Sequence, residues 1–158
     1  MIKPKIFIAH GHDTAGREEL EFLLHRLDLD PFILQNTANS SMTIIEALES
    51  YIYSGVDFGI VLLTPDDVAH SVANPTIINY RARQNVILEL GMLMAAISRK
   101  NIAILKKGNI EVPSDLNGIF YYEYSSRIKE VAGQLCDCMI KSGIPIDPIK
   151  ITRVIGGL

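Results

Sequence analysis

The chain has 158 residues, 48% of them apolar and 21% charged, the proportions of a folded globular domain rather than a disordered one. Fifteen Lys and Arg against eighteen Asp and Glu leave a net charge of −3, which argues against nucleic acid as the main partner. No apolar run approaches the roughly 18 residues of a membrane span, and Met1-Ile2-Lys3-Pro4 shows no signal-peptide character, so we expect a cytoplasmic chain with no membrane segment.

Strand-like and helix-like patterns alternate along the sequence. Lys5-Ile6-Phe7-Ile8-Ala9 is a short apolar strand that ends in the loop His10-Gly11-His12-Asp13. Leu20, Leu23, Leu24 and Leu27 recur at helical spacing on a helix starting near Thr14. Pro31-Phe32-Ile33-Leu34 reads as a second strand, and Asn36–Ser41 as a polar loop. Ser40 or Ser41 is placed to cap the helix that carries Ile44, Ile45, Leu48 and Ile52. Phe58 to Leu63 is a third strand, apolar on both faces, closed by Thr64-Pro65-Asp66-Asp67. A longer irregular stretch leads to a helix expected over Asn79–Ser98. A fourth strand follows from Asn101 to Leu105, a fifth from Gly118 to Tyr122, and a last helix from Arg127 to Lys141.

Strands apolar on both faces, alternating with helices, indicate a parallel sheet covered on both sides. Five βα units predict a flavodoxin-like doubly wound α/β fold in the order 2-1-3-4-5. The ligand crevice then lies beyond the ends of strands 1 and 3, at the His10–Asp13 and Thr64–Asp67 loops. The chain divides into a domain over 1–142 and a segment over 143–158. The latter carries Pro145 and Pro148 and ends in Gly156-Gly157-Leu158, which reads as an uncapped linker or the start of a following domain. Cys136 and Cys138 sit two apart in a helical pattern, on nearly opposite faces, so they do not pair with each other, and a reducing compartment fits.

One residue stands out chemically. From Val86 to Ile97 every side chain is apolar or absent except Glu89, and a helix apolar all round is a buried one. Glu89 lies about 60° from the Val86/Leu90/Leu93/Ile97 stripe, with Asn85 one turn earlier on its own face. Gly91 and Ala95 keep the helix slim enough for close approach of a backbone or a ligand. A carboxylate in such a place is either functional or held in an ion pair, here with Arg81 or Arg83.

Two other readings carry less. His10-Gly11-His12-Asp13 offers alternating histidines, but His25 falls on an amphipathic helix and His70 in a loop. No Cys-x-x-Cys or His-Glu-x-x-His motif accompanies them, so no metal is expected. The loop is better placed to line a nucleotide pocket with backbone N–H groups and the His10 side chain. Asp66 and Asp67 resemble the acidic residues of receiver domains, yet Tyr122-Glu123-Tyr124 supplies no lysine, and such a pair ordinarily caps a helix or closes a turn.

The string Arg81-Ala82-Arg83-Gln84-Asn85-Val86-Ile87-Leu88-Glu89-Leu90-Gly91 follows Leu62-Leu63-Thr64-Pro65-Asp66-Asp67 and precedes Pro113-Ser114-Asp115-Leu116-Asn117-Gly118. Together with the opening Lys5–Asp13 segment, these motifs closely resemble the bacterial TIR-like domains, the effector heads of cyclic-nucleotide anti-phage systems that include TIR–STING fusions. The resemblance runs from about residue 4 to residue 142 and rests on four motifs in order. It implies an NAD+ glycohydrolase that takes NAD+ as substrate, needs no cofactor, and uses Glu89 as the catalytic carboxylate. It also implies that Phe7, Arg83 and Asp115 join the site, to which we add His10, Gly11, Asn85 and Ser114 as substrate contacts. Taken without it, Phe7 is a core residue and Ser114-Asp115 an ordinary turn.

The chemistry suits one carboxylate. Nicotinamide leaves from a cationic centre through an oxocarbenium-like state, so charge stabilisation is required and a strong general acid is not. By the same resemblance, activity depends on self-association, with the Asn36–Ser41 loop as the moving part, and a C-terminal part is expected to follow, either a STING domain binding a cyclic dinucleotide or a membrane-spanning segment. Two rivals remain: a nucleoside deoxyribosyltransferase-like enzyme, and a non-catalytic TIR adaptor.

Overall fold

The computed structural model describes residues 2–34 and 41–157. Five strands form one parallel sheet in the order β2-β1-β3-β6-β7, built from β1 (Lys5–Ala9), β2 (Asp30–Phe32), β3 (Phe58–Leu63), β6 (Ile102–Lys107) and β7 (Tyr122–Tyr124). A separate antiparallel hairpin, β4 (Asp67–Ala69) and β5 (Asn79–Arg81), lies between β3 and the next helix. With that hairpin set aside, the sheet has the expected 2-1-3-4-5 winding.

All six residues of β3 are buried, and the period of two divides them between two cores. Phe58, Ile60 and Leu62 join Ile6 and Ile8 of β1 under α1 (Thr14–Arg26), α4 (Ala132–Lys141) and α5 (Pro148–Gly156). Val61 and Leu63 join Phe7 and Ala9 under α2 (Ile44–Tyr53) and α3 (Gln84–Ala96). On this second face α3 packs so close to β3 that a Cβ on Gly59 would stand 3.0 Å from Leu93 Cδ1, so glycine sets the helix–strand distance.

Several local expectations change. α2 is capped by Thr43, not by Ser41: Glu46 N donates to Thr43 Oγ1 at 3.3 Å and Thr43 N to Glu46 Oε2 at 2.7 Å, a reciprocal capping box. Ser40, and Asn36–Ser41 apart from Ser41, lie outside the described residues. The expected Asn79–Ser98 helix begins only at Gln84, because Asn79–Arg81 pairs with Asp67–Ala69 and Arg81 bridges Glu111. The second strand is Asp30–Phe32 rather than 31–34. The fifth starts at Tyr122, after Gly118 has turned the chain at φ 86°. The last predicted helix opens with a 3-10 turn, Ile128–Val131, before α4.

The C-terminal segment is not an uncapped tail. Asp147 caps α5 by accepting from Ile149 N at 2.9 Å, Pro148 occupies its first turn, and Gly157 ends it at φ 77°. Val154 is buried, Ile146 and Ile151 pack on the α1/α4 core, and Lys150 is ion-paired with Asp28. No helix among the described residues is long and apolar enough to cross a membrane.

Candidate active site

The loops after β1 and β3 meet at the carboxyl end of the sheet, where doubly wound folds bind ligands. Asp13 caps α1 through Gly16 N at 3.0 Å, and its second oxygen accepts from Lys107 Nζ at 2.7 Å. Both contacts with donors outweigh burial, and the Asp13 pKa is lowered although desolvation acts against it. The lysine that Tyr122–Tyr124 does not supply therefore comes from the last position of β6. The Lys106-Lys107 pair closing an apolar strand was the sequence signal for it.

α3 carries Glu89. Its buried side is Val86, Leu90, Met92 and Leu93, whereas Leu88, Gly91 and Ala95 face solvent, so the helix is not buried all round. Gly91 has open space where a Cβ would stand, and the close approach expected there is made by Gly59 instead. Glu89 is partly buried and has no hydrogen bond or ion pair among the described residues; neither Arg81 nor Arg83 closes a salt bridge on it. Burial pushes its carboxyl up to about 7, against the opposing pull of the Arg83 charge. Asp13, Asp28, Glu46 and Glu130 all move the other way, because hydrogen-bond donors hold them ionised.

The remaining expected site residues fall into separate groups. Arg83 is the N-cap position of α3 and is exposed, as is Asn85 one turn before Glu89. His10 and Gly11 are half-buried at the end of β1, and His10 Nδ1 lies 2.9 Å from the Gly11 carbonyl oxygen, which requires its proton on Nδ1. Phe7 sits below them in the core, 1% exposed, with its ring 6.1 Å from that of Phe32. Ser114 and Asp115 open a 3-10 turn after β6. Ser114 lines a cavity of about 380 Å³ with Arg81, Gln84, Ile87 and Glu111. Ile87 and Glu89 are about 200° apart on the helix, so that cavity flanks the other side of α3. Arg81 Nε, at this cavity, is buried with no hydrogen-bond partner among the described residues. Among the described residues no three His, Cys, Asp or Glu side chains gather as a metal site.

The chain is thus an α/β domain with a doubly wound parallel sheet and, on the helix packed against its central strand, a carboxyl with no partner among the described residues. The chain belongs to the family of TIR domains of CAP12/Pycsar effector proteins, which it matches over residues 5–126. It is 39% identical over 153 residues to "Uncharacterized protein YuaY" of Escherichia coli (strain K12), covering 94% of this chain and 49% of that protein. It is 35% identical over 141 residues to "Protein tirC" of Dictyostelium discoideum, covering 83% of this chain and 69% of that protein. The chain thus spans about half the length of the Escherichia coli relative.

Proposed function

We propose that this domain is an NAD+ glycohydrolase serving as an anti-phage effector, and that Glu89 is its catalytic carboxylate. The observation that carries this reading is a partly buried carboxyl with no hydrogen bond or ion pair among the described residues, pushed up to about 7. A scaffold gains nothing from such burial. In the ionised form Glu89 faces the ribose and stabilises positive charge as it builds at C1′. The N-glycosidic bond breaks, its electron pair neutralises the pyridinium nitrogen, and water adds to C1′. The products are nicotinamide, ADP-ribose and one proton. Arg83, exposed at the helix start, is placed to pair with a phosphate of the same substrate.

Self-association and a cyclic-nucleotide-sensing segment outside this chain, STING-like or of another kind, complete the proposal. The test is nicotinamide release from NAD+ by the wild-type chain and by Glu89→Gln. The substitution preserves shape and removes charge, so activity should fall by at least about 10³-fold, the scale of losing a principal electrostatic group. Retention within tenfold of wild type rejects the assignment. Cleavage of deoxynucleosides but not NAD+ would instead favour the deoxyribosyltransferase-like rival.

A further inference from the structure

Asp66, at the end of the β3 loop, serves three chain segments with one carboxylate. Its Oδ1 accepts the Thr64 hydroxyl at 2.7 Å and the His12 backbone N–H at 3.1 Å, and its Oδ2 accepts the Arg83 backbone N–H at 3.4 Å. Thr64 is 2% exposed, so its hydroxyl has little water to turn to and orients the carboxylate. Gly11 presses on the same group: a Cβ there would stand 1.8 Å from Asp66 Oδ2, a distance no side chain tolerates. Gly11 and Arg83 come from different strand ends, yet both meet this one side chain.

We propose that Asp66 is a positioning residue that fixes the spacing between the His10–Asp13 loop and the N-cap of α3, and with it the fit of substrate in the crevice. This rests on the reading that substrate binds at that crevice against Glu89. The role needs two acceptor oxygens. Asparagine has the same shape but offers one oxygen and one NH₂. Whichever way it turns, an N–H of His12 or Arg83 meets a donor. A residue that merely closed a turn would alter stability and leave substrate affinity alone.

The test uses the whole chain as wild type, Asp66→Asn, Asp66→Ala, Gly11→Ala and the Gly11→Ala/Asp66→Ala double variant. The measurements are kcat and KM for NAD+, thermal stability, and amide hydrogen exchange. Asp66→Asn should raise KM about tenfold, the loss of one charge-assisted hydrogen bond, while kcat changes less. Exchange at the His12 and Arg83 amides should accelerate. Gly11→Ala should lower thermal stability when Asp66 is present and lower it no further when residue 66 is alanine, because the clash is then gone. An unchanged KM in a folded Asp66→Asn protein overturns the proposal, as do unchanged exchange at both amides or strictly additive stability losses in the double variant. If the wild-type chain leaves NAD+ intact even at high micromolar protein, the substrate reading fails on its own. The exchange rates and the stability cycle still decide whether Asp66 holds the two loops.

Discussion

A carboxyl that titrates near neutrality makes Glu89 sensitive to pH in two opposite ways. Its folded value of about 7 lies above the ordinary value of 4.5, so between these the folded chain holds a proton that the unfolded chain has released. Folding stability contributed by this group is therefore complete below about pH 4.5 and is lost as pH rises through 7. Glu89→Gln escapes that loss. The variant should match wild type near pH 4 and exceed it by about 1–3 kcal/mol at pH 8, read as a gap of a few degrees in Tm. Catalysis follows the ionised form and runs the other way. The kcat/KM for NAD+ should rise with pH through about 7 with a single-proton limb, since that ratio reports the free enzyme. A profile flat from pH 5.5 to 8.5 would mean the charge on Glu89 is not used.

At the scale of elements, α5 tests whether the last residues are part of the fold. Asp147→Ala removes the cap on Ile149 N and should cost about 1 kcal/mol, and Val154→Ala should cost about 1–3 kcal/mol by uncovering the α1/α4 core. Urea denaturation measures both; no change in either would return the segment to the status of a linker. Pro148 and Gly157 explain why this helix was hard to read. In sequence both look like breakers, whereas proline in a first turn and glycine just past a helix end are its normal punctuation. The β4/β5 hairpin was hidden for a different reason: its strands are three residues each and largely exposed, so no hydrophobic period marks them. The sheet order and the Glu89 helix were legible because wholly apolar strands and a single charge in an apolar run are local signals. The Asp66 contacts were not, since they join positions 54 and 17 residues apart and only the closed sheet brings them together.

For the molecule as a whole, apolar side chains stay on the surface. Val68, Ile77, Ile78 and Tyr80 in and around the hairpin, Leu88 on α3, and Ile44 and Ile45 on α2 are all exposed. Isolated apolar residues on a surface are ordinary, but a series on neighbouring elements favours contact with another protein surface. If subunits complete each other's sites, specific NAD+ cleavage should climb steeply from nanomolar to high micromolar protein. Constant specific activity over that range would assign a complete site to each subunit. The geometry of the sheet also limits how copies can join. Its two outer strands, β2 and β7, have three residues each, and β2 contains Pro31, which has no N–H to offer. Short, interrupted borders give an incoming strand almost nothing to zip onto. Growth of any polymer would therefore proceed by docking of helices and loops, leaving each sheet closed to its neighbours. Such a polymer can be dismantled without unfolding its members, whereas a cross-β fibre cannot.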